Sequence, residues 1–160
     1  MPNRQFPIHP RSNRFIVPGD YWPILLVDGT IAVGRVIELP SKGGIGSRSS
    51  FLAGLMDWRG ENPPVPDELA GSQVLEQGVM GIAAFKFNSW SIIGNRPLDL
   101  DDLHPWLFRE TQLGPVYVSK GLGPARSITV SGANQLPVLT SWGMSVIEIL
   151  AEMHFLGSHH

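Results

Sequence analysis

The chain has no cysteine among its 160 residues. This absence excludes disulfide bridges, thiolate zinc sites and cysteine nucleophiles, and it predicts a cytoplasmic protein. Charge is also scarce, because Asp, Glu, Lys and Arg make up 16% of the chain, against about 25% in average globular domains. We therefore expect part of the surface to be apolar and available to a partner protein or to a second copy of the chain, with a homo-oligomer as one outcome. A surface rich in Ser, Asn, Gly and Pro is the alternative.

Long hydrophobic runs are absent as well. No segment approaches the roughly 20 apolar residues of a membrane span, and the first ten residues lack the apolar core of a signal peptide. We therefore expect no membrane partner. A net charge of −2 disfavours nucleic-acid binding through a broad basic face, and only the arginines of residues 4–14 favour an SH3-like nucleic-acid module.

Catalytic signatures are missing too. The sequence contains no G-x-S-x-G, no H-E-x-x-H and no EF-hand loop. The two histidines at the C-terminus belong to residues 157–160, which resemble the start of an expression tag and are excluded from arguments about metal. We expect a protein that is not an enzyme and that uses neither a metal nor a cofactor.

The feature that says most about the fold is a pair of apolar runs on either side of Asp28 and Gly29. An Asp-Gly pair suits a type I′ turn, so residues 15–39 are predicted to form a tight β-hairpin. The second strand alternates apolar and polar positions, and Gly34 within it marks a bulge, a bend or a close backbone approach. Pro23 places the first strand at an edge or at a strand start.

The remaining elements predict an α+β, mainly β fold. Residues 51–58 and 79–87 are predicted strands, residues 89–94 an antiparallel partner of the latter, and residues 141–155 a C-terminal helix with a wide apolar stripe. We expect a strongly bent antiparallel sheet, SH3-like or barrel-like, with this helix packed on it. Residues 1–13, which hold three prolines, are predicted to be an extended N-terminal arm, and residues 14–156 a single β-rich domain.

Two short segments resemble one protein family. The first joins Gly19-Asp20, an aromatic pair, the Asp-Gly turn and Gly34-Arg35-Val36, and the second is W-S-I-I-G-N-R-P-L at residues 90–98. Over about residues 15–108 the chain is similar to the immunity protein 26 family of bacterial polymorphic toxin systems. The resemblance implies a small cytosolic protein that blocks a cognate protein toxin by binding it, without catalysis and without a cofactor.

The densest acidic group is Asp99, Asp101 and Asp102, with His104 nearby. Such a group could cover the basic active site of a toxin, since complementary charge sets association rate and specificity. It could also cap a short helix, because acids favour a first helical turn, or hold a divalent ion.

Other candidates for partner contact are tryptophans and charged residues near loops. Tryptophan is enriched at interface hot spots, although ordinary core packing is the alternative for each one. Asp20 and Arg35 lie on or beside adjoining strands and are predicted either to pair with each other or to face a partner. The complete set of predicted partner-binding residues is Asp20, Trp22, Arg35, Asp57, Trp58, Asp99, Asp101, Asp102 and Trp106.

A small enzyme or ligand-binding barrel is the alternative function. It requires a concave pocket with converging polar groups. Residues 57–61, which include Asp57, Arg59 and Glu61, and the segment from Asp99 to His104 would line it.

Overall fold

The computed structural model describes residues 4–41, 48–109, 116–124, 126–128 and 136–157. These residues form a mainly β protein with a C-terminal helix, as predicted. The strands are β1 Asp20–Leu25, β2 Ile31–Glu38, β3 Ser50–Gly60, β4 Val74–Gly81, β5 Gly94–Asn95, β6 Leu107–Arg109, β7 Val116–Lys120, β8 Arg126–Ile128 and β9 Ser141–Gly143. The helices are α1 Ala83–Phe87 and α2 Val146–Leu156, with 3₁₀ helices at Asn13–Phe15, Pro66–Leu69 and Leu98–Asp101.

The described strands form two sheets. The larger has the order β5-β1-β2-β3-β4-β9, and the smaller has the order β6-β7-β8. Neighbouring strands are antiparallel except for β9, which runs parallel to β4, so the larger sheet is mixed rather than wholly antiparallel. The SH3-like or barrel-like comparison stays a prediction.

The predicted hairpin is confirmed, but its turn is not type I′. The loop has three residues, since Leu26 N donates to Thr30 O (2.8 Å) and Gly29 N donates to Leu26 O (3.0 Å). Gly29 has a positive φ of 88° whereas Asp28 does not, which is the pattern of a turn followed by a left-handed bulge residue. The Asp28 carboxylate closes the loop by accepting from Thr30 N (2.9 Å) and Thr30 Oγ1 (2.6 Å).

The larger sheet is covered on both faces. Trp22 and Tyr21 are neighbours on β1 and therefore point to opposite faces. On the Trp22 face lies the first core, which includes Phe51, Phe85 and Trp90 and packs against α2. On the Tyr21 face lie a second core and a third, the latter built on Ile37, Leu52, Phe108 and Leu122.

Residues 79–87 do not form one strand. Alternation would place Phe85 and Phe87 on the same face, but Phe85 is 1% exposed and Phe87 is 67% exposed. The strand ends at Gly81, and α1 follows because a helical turn buries Ala84 and Phe85 together. The expected antiparallel partner is also different, since β5 pairs with β1 and not with β4.

The C-terminal helix begins later than predicted. Residues 141–143 form β9 instead, and Trp142 of this strand lies against Gly78 of β4, where a Cβ atom would come within 2.1 Å of the indole Nε1. Because Gly78 has no side chain, β4 and β9 can lie side by side. Residues 141–143 therefore belong to a strand, and the helix starts only at Val146.

The N-terminal segment lies against the domain in the part that the structure describes. Ile8 and Ile92 exchange two backbone hydrogen bonds of 2.9 and 2.8 Å, and Pro10 is buried. The division at residues 13 and 14 stays a prediction. Residues 158–160, most of the predicted tag remnant, lie outside the described residues.

Among the described helices, none combines the length and the apolar character that a membrane crossing needs.

Gly34 provides the close approach that its position predicts. It lies opposite Trp22 in the β1–β2 pair, and the pairing of β2 with β3 shifts register between Ala32 and Gly34. A Cβ atom on Gly34 would stand 2.3 Å from Cζ2 of the Trp22 ring. Because Trp22 is fully buried, the ring has no free space into which to move.

Gly34→Ala is therefore expected to lower the free energy of unfolding by about 1–3 kcal/mol, since overpacking forces side chains off their rotamers. Gly81→Ala is the matched control in β4, because a Cβ atom there would have its nearest neighbour at 3.8 Å. Urea unfolding of both variants measures the difference. Equal midpoints for the two variants would refute the close contact.

Candidate functional site

Three of the predicted partner-binding residues lie inside the protein. Asp20, Trp22 and Arg35 are each 0% exposed. Trp22 packs against Phe85 and Phe51, whose ring centroids lie 5.0 and 5.9 Å away. In the folded protein these three side chains present no surface to a docking partner.

Asp20 and Arg35 do not pair with each other, which corrects the predicted pair. Tyr21, not Asp20, lies opposite Arg35 across β1 and β2, so Asp20 points to the other side of the sheet. The Asp20 carboxylate instead accepts from Arg4 Nη2 (2.7 Å) and from Asn95 Nδ2 (2.8 Å). The hydrogen bond to Asp20 raises the pKa of Arg4.

The partner of Arg35 is Asp101, and Arg96 completes a buried charge cluster of these three residues. Arg96 donates to Asp101 through Nε (2.7 Å) and Nη2 (3.0 Å). Arg35 Nη1 lies 3.7 Å from Oδ2 of Asp101, and Arg35 Nη2 donates to the backbone carbonyl of Arg96. The side chains of Arg35 and Asp101 are 0% and 3% exposed. The cluster therefore ties the segment that contains Arg96 and Asp101 to the sheet.

The electrostatics of the cluster favour its charged form. The hydrogen bond from Arg96 lowers the pKa of Asp101 to about 2, even though burial opposes the shift. The same bond raises the pKa of Arg96, whereas burial lowers the pKa of Arg35. Within the described structure, Nε and Nη1 of Arg35 have no hydrogen-bond acceptor, so the carboxylate of Asp101 is the main compensation for this buried charge.

Two short 3₁₀ helices are joined through this cluster. Gly71 N, just after the helix Pro66–Leu69, donates to Oδ1 of Asp101 (3.1 Å), at the end of the helix Leu98–Asp101. Arg96 Nη1 also lies 3.7 Å from Oδ1 of Asp67. The two helices are therefore neighbours on the surface.

The side chain of Tyr21 holds the backbone just before the 3₁₀ helix Pro66–Leu69. Its hydroxyl donates to the carbonyl of Pro64 (2.9 Å). Burial raises the pKa of Tyr21 to about 12, so the hydroxyl keeps its proton at neutral pH. Both the beginning and the end of the segment 64–71 are thus bonded to buried side chains.

The exposed carboxylates on these two helices form a surface that we call the acidic face, which consists of Asp67, Glu68, Asp99 and Asp102. The side chains of Asp67 and Asp102 are 100% and 93% exposed. Two apolar residues on the same segments, Val65 and Leu100, are also exposed. The geometry therefore combines negative charge with apolar surface on a fixed backbone.

Sequence reasoning found Asp99 and Asp102 but missed the other half of the acidic face. Asp67 and Glu68 are not among the predicted partner-binding residues. The available signal was two acids directly after Pro66, on a short and exposed element. What could not be read from the sequence was that Arg96 and Asp101 place this element beside residues 98–102.

The other predicted residues lie near this region with different exposures. Asp57 is exposed, and its backbone N–H donates to Gln73 O (2.8 Å). Trp58 is half-buried and packs on the second core. Trp106 is half-buried, with its ring centroid 6.4 Å from that of Phe108.

The structure has a cleft near one of the two segments that are predicted to line a ligand pocket, but the lining of this cleft differs from the prediction. A cleft of about 190 Å³ is lined by residues 73–74 and 102–106. Residues 102–104 of the predicted segment Asp99–His104 line this cleft, but residues 57–61 do not. His104 Nε2 lies 2.7 Å from Oδ1 of Asp102, and both side chains are mostly exposed. Within the described ranges, no three His, Asp or Glu side chains are grouped so as to hold a metal ion.

Asp101→Asn is expected to lower the free energy of unfolding at pH 7 by about 3 kcal/mol, because it leaves two neighbouring guanidinium groups without their shared counter-charge. Asp99→Asn, an exposed substitution two residues earlier, is the control and should change stability by less than about 0.5 kcal/mol. Denaturant unfolding of both variants measures the effects. Similar losses for the two would contradict the role of the cluster.

Asp101 should also make the stability of the protein depend on pH. The pKa of Asp101 is about 2 in the folded protein and 3.8 ordinarily, so its ionised form contributes stability above the ordinary pKa, and this contribution is lost as the pH falls toward 2. The stability difference between wild type and Asp101→Asn should shrink between about pH 5 and pH 2. A difference that stays constant over this interval would show that the carboxylate charge is irrelevant.

Comparison with known proteins gives one positive finding. Searches of curated proteins and of solved structures found no match. The family model described as immunity protein 26 matches residues 17–118, which is more than half of the chain and includes both 3₁₀ helices of the acidic face. The chain therefore belongs to the immunity protein 26 family.

Proposed function

We propose that this chain is a non-catalytic binding protein that neutralises a cognate bacterial toxin, and that the acidic face covers the active site of the toxin. Membership of an immunity protein family supports the role. The acidic face is proposed as the toxin contact because of the way its residues are arranged. Its exposed carboxylates stand beside exposed Val65 and Leu100 on two helices that one buried carboxylate joins.

The charge of the face specifies the chemistry of the partner. Asp67, Asp99 and Asp102 are exposed, whereas the neighbouring cation Arg96 is 12% exposed and engaged with Asp101. The face therefore presents net negative charge and suits a positively charged active site. Charge complementarity speeds the encounter and rejects wrong partners, and the burial of apolar residues such as Leu100 contributes to affinity.

The rigidity of the face supports binding without rearrangement. Asp101 receives hydrogen bonds from Arg96 and Gly71, and Pro64 accepts one from Tyr21. A surface that is already ordered loses less conformational entropy when a partner docks. The buried residues Arg35 and Asp101 therefore act in this proposal by holding the surface and not by touching the toxin. Asp20 and Trp22 lie on the other side of the sheet and stabilise the fold there.

The remaining predicted residues extend the proposed contact. Trp106 lines the same cleft as Asp102 and so borders the acidic face. Trp58 packs on the second core and belongs to the proposed contact as its outer part, whereas Asp57 points to the other face of β3 and stays a predicted contact residue. A cytoplasmic location completes the proposal, and a homo-oligomer stays a prediction.

Charge reversal on the face should weaken the complex. We expect Asp99→Lys to reduce the affinity for the cognate toxin domain, which we expect a neighbouring gene to encode, by about tenfold or more. The loss should come mainly from slower association, because a repulsive charge replaces an attractive one. Association and dissociation rates at low and moderate salt, measured by surface plasmon resonance, give the result. The variant should also protect growth less well when it is co-expressed with the toxin domain.

Glu148→Lys on α2 is the matched control, since α2 packs on the opposite face of the sheet. It carries the same change in charge and should leave the affinity unchanged. Equal effects of Asp99→Lys and Glu148→Lys on the affinity would contradict the proposal that the acidic face is the interface. Failure of the wild-type protein to bind the toxin domain or to protect growth would overturn the toxin-neutralising function.

A further inference from the structure

A second concave surface lies on the other side of the larger sheet. It is a cleft of about 500 Å³ between the N-terminal segment and the C-terminal end of α1. Its apolar floor includes Phe85 and Trp90, which belong to the first core. The acidic face is built on the Tyr21 side of the sheet, so the two surfaces do not overlap. The volume lies within the range of about 300–1,000 Å³ that is typical of small-molecule sites.

The polar groups around this cleft carry positive charge. Arg11, Lys86 and His9 line it, all three are exposed, and no carboxylate is among its lining residues. The Arg11 guanidinium lies 5.3 Å from the ring centroid of Phe15, which limits its orientation. In a protein of net charge −2, this is a local reversal of sign. We call this surface, lined by residues 9–11, 85–86 and 89–90, the cationic cleft.

The apolar floor continues beyond the cationic residues. Ser89 and Trp90 also line a neighbouring cleft of about 300 Å³, together with Pro23, Leu25 and Pro63. Leu25 is 63% exposed there. Because β5 pairs with β1 at Asp20 and Tyr21, this neighbouring cleft lies at the open edge of β1 and adds apolar surface beside Trp90.

We propose that the cationic cleft binds a small anionic ligand with an aromatic or apolar body. The ligand class follows from charge complementarity at Arg11 and Lys86 and from the apolar floor to which Phe85 and Trp90 contribute. A carboxylate or sulfonate attached to a flat ring system fits both features. The cationic cleft shares no lining residue with the acidic face, so binding at one can be tested without the other.

The probe is naphthalene-2-carboxylate, and naphthalene-2-carboxamide is its neutral counterpart of nearly the same shape. Inorganic phosphate provides charge without an apolar body. Titration calorimetry should give an affinity for the carboxylate at least about fivefold greater than for the carboxamide, and no measurable binding of phosphate, because both charge and apolar contact are required. Chemical-shift changes in ¹H–¹⁵N spectra should concentrate at residues 9–11 and 85–90.

Lys86→Glu should weaken binding of the carboxylate by about tenfold or more, because it replaces a positive charge in the cationic cleft by a negative charge that repels the ligand. Lys120→Glu in β7 is the matched control and should leave the affinity unchanged; both side chains are exposed, and thermal unfolding verifies that both variants fold. Equal binding of carboxylate and carboxamide would overturn the proposal. So would equal effects of the two lysine substitutions, or shift changes that lie elsewhere. None of these outcomes depends on whether the toxin binds.

Discussion

The buried guanidinium of Arg35 is the constraint on which the candidate site depends. A charge inside a protein is stable only with a close counter-charge and hydrogen bonds, and the counter-charge of Arg35 is Asp101. The segment that contains Arg96 and Asp101 must therefore fold over the sheet. Asp101 then bonds to Gly71, which brings a second segment alongside. The position of the acidic face is a consequence of satisfying one buried arginine.

In this arrangement, the residues that stabilise the acidic face are different from the residues that are exposed on it. The side chains of Arg35 and Asp101, which hold the surface, are buried, and those that remain exposed are carboxylates with a few apolar neighbours. With the acidic face as the proposed toxin contact, affinity depends on residues whose substitution costs the fold little. An immunity protein of this family could thus change its toxin specificity at positions such as Asp67 or Asp102 while the cluster below stays the same.

Sequence reasoning predicted the elements with strong local signals and failed where distant residues decide the outcome. The Asp28-Gly29 pair located the hairpin, and Gly34 marked a close approach, because both signals depend on local backbone chemistry. The turn type was wrong because only Gly29 takes the left-handed conformation. Residues 83–87 became helical because burial of Phe85 outweighed an apparent alternation. The pairing of Arg35 with Asp101 had no local signal, since strand adjacency favoured Asp20.

The most direct test of the central claim is hydrogen–deuterium exchange of the protein alone and bound to its proposed cognate toxin domain. The account predicts that the toxin slows exchange in residues 65–71 and 98–104 and leaves residues 83–90, on the opposite side of the sheet, unchanged. Slower exchange at residues 83–90, with none at 65–71 or 98–104, would contradict it.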